Sequence, residues 1–308
     1  MFKKISGLLS VFMVAGVISA CNNKTIDDSA NNTSGKIEVV VSFNPMKEFA
    51  EAVGKDKIIV KTIVPEGTEP HDFELKPKDM QNINSGKVFV YNGLGMEHWV
   101  EDSLKSISNK KLEIVEASKG VEAIKSEEHE EESKKDEEHG EFDPHVWLSI
   151  KDAKIQTKNI LDALVKVDSA NKEFYEKNYN EFTTKLDSLY KEYKGKFDSI
   201  QNKNFVTGHA AFAYLCRDFG LKQNSVEGVF AEGEPTPKKL SELVDYCKKS
   251  NIKVIFMEDL ASPKVSETLA KEVGAKVETI YTIESKEDNK DYVKSMEDNL
   301  KKIYESLK

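Results

Sequence analysis

The chain has little of what would tie it to a membrane or to nucleic acid. Its one long apolar stretch, Ile5 to Ala20, is interrupted by Ser6, Gly7, Ser10 and Gly16. That falls short of the roughly 20 apolar residues that span a bilayer well. Positive charge is in deficit: the formal net charge of −9 argues against a nucleic-acid partner. Cysteine is scarce, and only Cys216 and Cys247 lie in the body of the chain. Export would permit them to pair, whereas the helical patterns around both suit small buried thiols equally well. With 308 residues, 39% of them hydrophobic, there is enough chain for two ordinary domains and a sizeable core.

Most of the negative charge is local. Ser126 to Glu141 holds nine acids and two lysines, so seven of the nine net negatives sit in one insert. The insert has no hydrophobic period and is expected to be unstructured. At the start, Lys3 and Lys4 precede the apolar stretch, which ends in Ile18-Ser19-Ala20-Cys21. This reads as a targeting segment, residues 1–20, closing in what looks like a bacterial lipobox. Cleavage before Cys21 would leave a terminal thiol that carries lipid; the alternative is ordinary secretory cleavage beside a chance cysteine. The Asn-rich stretch that follows, residues 21–35, suits a flexible tether.

From Ile37 onward strands and helices alternate. Ile37–Val41, Lys57–Val64, Val88–Tyr91 and Leu112–Val115 read as strands, with helices opening at Asn44-Pro45, near Pro77 and at Met96. After the insert, Ile150–Val167 is helical. Tyr175, Tyr179, Phe182, Leu186, Leu189, Tyr193 and Phe197 then mark one face of a long helix. Alternation resumes with strands at Phe205-Val206, Ser225–Phe230, Val254–Met257 and Lys276–Ile280. The helices between and after them are Gly208–Phe219, Pro237–Ser250, Pro263–Val273 and Asn289–Leu307. The expected fold class is therefore α/β: two lobes, each a mainly parallel four-stranded sheet with flanking helices, joined by a long helix. The lobes would occupy residues 36–148, with an acidic loop at 118–142, and 201–308, with linking helices at 149–200.

Metal-competent side chains fall just past several apolar strands. His71 ends the loop Pro65-Glu66-Gly67-Thr68-Glu69-Pro70, His209 follows Phe205-Val206-Thr207-Gly208, and Glu258 follows Val254–Met257. Open α/β sheets bind ligands outside the carboxyl ends of their strands. His145 leaves the first lobe on a loop stiffened by Pro144, which biases Asp143 toward an extended conformation. Thr207 is a good N-cap, so His209 is expected in the first helical turn, where the positive helix end keeps its ring neutral. Three imidazoles and a carboxylate suit tetrahedral zinc, whereas manganese prefers more oxygen donors. Spacing alone does not prove that these groups converge. His98, between Glu97 and Trp99, reads as structural.

The chain resembles the zinc/manganese solute-binding lipoproteins of bacterial ABC importers from about Ile37 to its C-terminus. The pieces that carry the likeness are Pro65–His71 with Phe73-Glu74-Leu75-Lys76-Pro77, Asp143-Pro144-His145-Val146-Trp147-Leu148, His209–Leu215, Glu234-Pro235-Thr236-Pro237 and Phe256-Met257-Glu258. The resemblance implies two lobes joined by a rigid helix with the ion, Zn2+ before Mn2+, buried between them. It maps the ligands onto His71, His145, His209 and Glu258, with the adjacent Asp259 as second choice for the fourth. Histidine in third place is the zinc-type pattern. His129 and His139 in the insert would be transient capture sites, fewer than such loops usually carry; a merely solubilising loop is the alternative.

The function so implied is extracytoplasmic zinc capture and delivery to an ABC permease, with no bond made or broken. The protein would be a monomer, lipid-anchored through Cys21 to the outer face of the cytoplasmic membrane. A zinc hydrolase is the competing class, since three histidines with an open fourth position can activate water. The chain has no His-Glu-x-x-His run, and Glu258 would fill that position. Surface adhesion is a third class that the sequence neither supports nor excludes.

Overall fold

A computed structural model describes residues 35–126, 141–230, 235–258 and 263–308. The expectations for the targeting segment, Cys21, His129, His139, Glu234 and Asp259 lie outside those residues. The body, Gly35 to Lys308, is one compact unit containing two sheets.

In the first sheet, β1 (Ile37–Val41) pairs with β2 (Ile58–Thr62) on one side and β3 (Val88–Tyr91) on the other, and β4 (Glu113–Glu116) pairs with β3; every pairing is parallel. The second sheet repeats the plan. In it β5 (Asn204–Thr207) pairs with β6 (Lys222–Ser225) and β7 (Val254–Glu258), and β7 pairs with β8 (Lys276–Ile280). The central strands carry the β-branched and aromatic runs, and Val39 to Val41, Val88 to Val90, Ile255 and Phe256 are wholly buried, as parallel strands covered on both faces should be. Both orders, 2-1-3-4 and 6-5-7-8, place a switch of winding direction between the two central strands. The crevice for a ligand opens at the carboxyl ends beside that switch. This is the fold class expected from the sequence.

Helices cover the sheets. In the first half these are α1 (Asn44–Gly54), α2 (Pro77–Ser85) and α3 (Val100–Ser106). Then come α4 (Ile150–Val167) and α5 (Lys172–Asp198), a rod about 40 Å long at 1.5 Å per residue. Tyr175, Leu186, Leu189, Tyr193 and Phe197 form its buried stripe, as their spacing predicts. The second half adds α6 (Ala213–Phe219), α7 (Pro237–Lys249), α8 (Pro263–Val273) and α9 (Tyr292–Ser306).

Three expected elements differ, each for a visible reason. Residues Met96 to Trp99 are not helical because the Glu97 carboxylate folds back to accept the Asn92 and Gly93 N–H groups at 2.7 and 3.0 Å. The strand expected at Ser225–Phe230 instead occupies the polar Lys222–Ser225, where register with β5 decides and side-chain pattern does not. The helix expected from Gly208 starts at Ala213. Thr207 does not cap it; its hydroxyl donates to the His209 carbonyl at 2.7 Å. The Gln223 amide donates to that same carbonyl at 2.8 Å, and Ala210 N–H donates to Gly228 O at 3.1 Å. His209 is thereby held on an irregular turn.

Candidate metal centre

Each histidine is delivered by a constrained loop. Pro70 and the Glu69 carboxylate, which accepts the His71 N–H at 3.2 Å, set the turn that buries His71. Pro144 is pinned by the Asn92 amide, which donates to its carbonyl at 2.9 Å and is held in turn by Gln156 at 2.8 Å. The short flanks of the acidic insert are zipped by an antiparallel bridge, Lys125 to Phe142, so the segment leaves and re-enters at the base of the His145 loop. His145 itself is fully buried.

The three imidazoles converge. Nε2 of His145 stands 3.2 Å from Nε2 of His71 and 3.4 Å from Nε2 of His209. A carboxylate oxygen of Glu284 lies 3.6 Å from the same His145 atom and 3.8 Å from His71 Nε2. One donor atom from each of these four buried residues lies within 4.8 Å of all the others. Zinc–nitrogen bonds of about 2.0–2.1 Å in a tetrahedron would set donor atoms about 3.3 Å apart. The two nitrogen–nitrogen edges at His145 match that figure, and the carboxylate edges, at 3.6 and 3.8 Å, are longer. Without a cation or a proton, lone pairs aimed at one small volume would repel.

The surrounding groups fix which nitrogen faces inward. Asp143 accepts from His145 Nδ1 at 2.8 Å, which leaves Nε2 free for the centre, and a ligating histidine needs such an orienting partner. Thr207, Gln223 and Ala210 hold the backbone of His209. Glu284 is restrained by the Thr282 hydroxyl, which donates to its second oxygen at 2.9 Å.

Burial and charge oppose each other at this centre. Burial works against a charged His145, but the Asp143 and Glu284 carboxylates outweigh it and raise its pKa to about 9. Burial likewise opposes the His209 cation, yet Glu258 raises its pKa. Burial would push Glu284 up, and the three histidines instead hold it down near 2. Burial and the Glu284 charge push Glu69 up to about 7. The neighbouring carboxylates thus favour the protonated ring of His145, and the histidines favour the ionised form of Glu284. This overturns the expectation that His209 is kept neutral by a helix end: it is not in a helix, and its acidic neighbours dominate.

The structure brings His71, His145 and His209 together, with Glu284 and not Glu258 as the carboxylate beside their Nε2 atoms. Glu258 lies behind the His209 ring, 3.7 Å from Nδ1 and not on the Nε2 side, with its Oε1 accepting the His209 N–H at 3.3 Å. Its carboxylate lies against Gly208, where a Cβ would stand 2.0 Å from Oε2. Glu284 comes four residues past the strand Lys276–Ile280, whereas His71 and His209 come nine and two residues past theirs, so no fixed offset marks it in the sequence. His98 is exposed and outside the cluster. Cys216 and Cys247 are both buried and unpaired, and burial raises both thiols, Cys247 to about 11.

The profile of the family described as zinc-uptake complex component A, periplasmic (ZnuA), matches residues 39–306. The high-affinity zinc uptake system protein ZnuA of Bacillus subtilis is 42% identical over 316 residues, covering 100% of this chain and 99% of that protein. Among solved structures, the laminin-binding protein Lmb of Streptococcus agalactiae, described as bifunctional with adhesin and metal-transporting activity, superposes with a TM-score of 0.80 at 34% identity, covering 88% of this chain and all (100%) of that one. A Zn(II)-bound mutant variant of AdcAII of Streptococcus pneumoniae gives 0.79 at 34% identity, covering 89% and 100%.

Proposed function

Because the chain belongs to the ZnuA family of zinc-uptake components, we propose that it captures Zn2+ with His71, His145, His209 and Glu284 and surrenders it to the permease of an ABC importer. Zinc transport is the business of the family; the identity of the four donors is the new assignment. The observation that carries it is the convergence of three Nε2 atoms and one carboxylate oxygen, all buried and within 4.8 Å of one another. Nitrogen-rich, four-coordinate donors favour zinc over manganese.

Binding and not catalysis is the chemistry that such a set supports. Three histidines and one carboxylate complete the coordination of zinc, which leaves no position for an activated water. Asp143 fixes the His145 tautomer, the irregular turn presents His209, and burial excludes water from the ion. Zinc binds the neutral ring, so a proton carried by His145 leaves as the ion enters. Release is then favoured by any opening that rewets the histidines and lets them reprotonate. A lipid on Cys21, tethering a monomer at the outer face of the cytoplasmic membrane beside its permease, completes the reading; the lipobox-like Ile18-Ser19-Ala20-Cys21 supports it.

The test compares Glu284→Gln with Glu258→Gln by zinc titration against a competing chelator. Glu284→Gln should weaken zinc binding at least 100-fold, and Glu258→Gln by about tenfold, the usual effect of removing a group that only orients a ligand. Equal losses, or the larger loss at Glu258, would refute the assignment of the fourth donor.

A further inference from the structure

The loop that carries Glu284 leaves the second sheet, yet Asn44, Gly67 and Trp147 of the first half help to hold it. Beyond β8, among the described residues, the carbonyls of this loop are taken by side chains and not by a backbone ladder. Asn299 of α9 donates to Tyr281 O at 2.6 Å, and the Trp147 indole, two residues past His145, donates to Thr282 O at 2.7 Å. Asn44, at the carboxyl end of β1, then uses one amide nitrogen twice, donating to Ile283 O and to Ser285 O, both at 3.1 Å. These two carbonyls flank Glu284. Gly67 N–H, from the loop that bears His71, adds a bond to the Ser285 hydroxyl at 2.8 Å.

Inside that grip, Ile283 adopts φ +62° while buried to 2% exposure. A β-branched residue almost never occupies the left-handed region, so the surroundings must impose it. Asn44 is free for the task. It sits at the start of α1, yet that helix has no side-chain cap, and the Asn44 side chain reaches across more than 200 residues of sequence, 239 to one carbonyl and 241 to the other.

We propose that Asn44 is a positioning residue for zinc binding: by clasping the carbonyls on both sides of Glu284 it holds Ile283 left-handed and aims the carboxylate at the three histidines. The proposal rests on Glu284 being the fourth donor. When the clasp is lost, Ile283 relaxes toward negative φ and the carboxylate turns away from His145 and His71. Zinc then meets three imidazoles and a poorly placed oxygen.

A double-mutant cycle tests this, with zinc affinity measured by chelator competition on the full chain. The proteins are wild type, Asn44→Ala, Glu284→Gln and the double variant; Asn44→Asp replaces Asn44→Ala throughout should the alanine protein fail to fold. The single Asn44 variant should bind zinc 10- to 100-fold more weakly, the range expected when an orienting partner is removed. In the Glu284→Gln background the same change should cost less than about threefold, because its effect passes through that carboxylate. Equal losses in both backgrounds would reveal a merely structural role and overturn the proposal, as would unchanged affinity in the single variant. If Glu284→Gln alone binds zinc normally, the donor assignment itself fails, an outcome distinct from the other two.

Discussion

Zinc affinity should begin to fall with pH far above the range expected of free histidines. A free imidazole titrates near 6.5, so competition from protons would begin there. Here burial disfavours the His145 cation, but Asp143 at 2.8 Å and Glu284 at 3.6 Å more than compensate, and the group titrates at about 9 in the metal-free protein. Zinc requires the neutral ring, so each pH unit below about 9 costs roughly a factor of ten, or about 1.4 kcal/mol. From pH 9 to pH 7 the loss is about 100-fold from this group alone. Chelator competition at fixed ionic strength reads the slope. Calorimetry at pH 7 in two buffers of different protonation enthalpy counts protons, and at least one should leave per zinc bound. Asp143→Asn removes the main stabiliser of the cation and should move the onset down by a unit or more. Affinity that stays constant from pH 9 to pH 6.5, with no proton released at pH 7, would refute the reasoning.

The same shift has the opposite sign for stability of the metal-free fold. A raised His145 pKa contributes stability that is complete below about 6.5 and is lost as pH rises toward 9, on the order of 3 kcal/mol. The lowered Glu284 pKa contributes above its unfolded value near 4.3 and is lost as pH falls toward 2. Both describe one ion pair and are not added together. Metal-free protein should therefore be most stable between about pH 5 and 7, and the margin that bound zinc adds to that stability should widen as pH rises toward 9.

Other consequences follow from single positions. His145→Ala should weaken zinc binding more than 100-fold in titration and lower the Tm of the metal-free protein, because Asp143 and Glu284 lose their buried partner. Gly208→Ala would drive a Cβ to 2.0 Å from Glu258 Oε2; displacing that carboxylate from the His209 N–H should cost about 1–3 kcal/mol in denaturant melts. Gly195→Ala, in α5 with nothing within 4 Å of the added carbon, should instead stabilise by about 0.5–1 kcal/mol. Deleting residues 127–138 removes eight acids and two lysines, so stopped-flow capture should slow at low salt while equilibrium affinity changes little; equal changes in both would point to a structural role.

What the chain announces by itself is local. β-branched runs specify the central strands, the 3.6-residue spacing from Tyr175 to Phe197 specifies the long helix, and Pro70-His71 and Pro144-His145 mark stiff loops bearing ligands. Each depends on residues a few positions apart, so periodicity and turn chemistry suffice to read it. The tertiary structure alone decided which carboxylate lies beside the three histidines. Glu258 and Glu284 both lie at or beyond the carboxyl end of adjacent parallel strands, and nothing within reach in sequence separates them. Packing does: Glu258 is folded against Gly208 behind His209, whereas Asn44 and Trp147, far away along the chain, draw the Glu284 loop onto the histidines. The late start of α6 and the polar strand β6 have the same origin, since contacts from Gln223 and register with β5 outweigh local propensity there. A convergence of side chains is a property of distances, and the sequence records those only once the chain has folded.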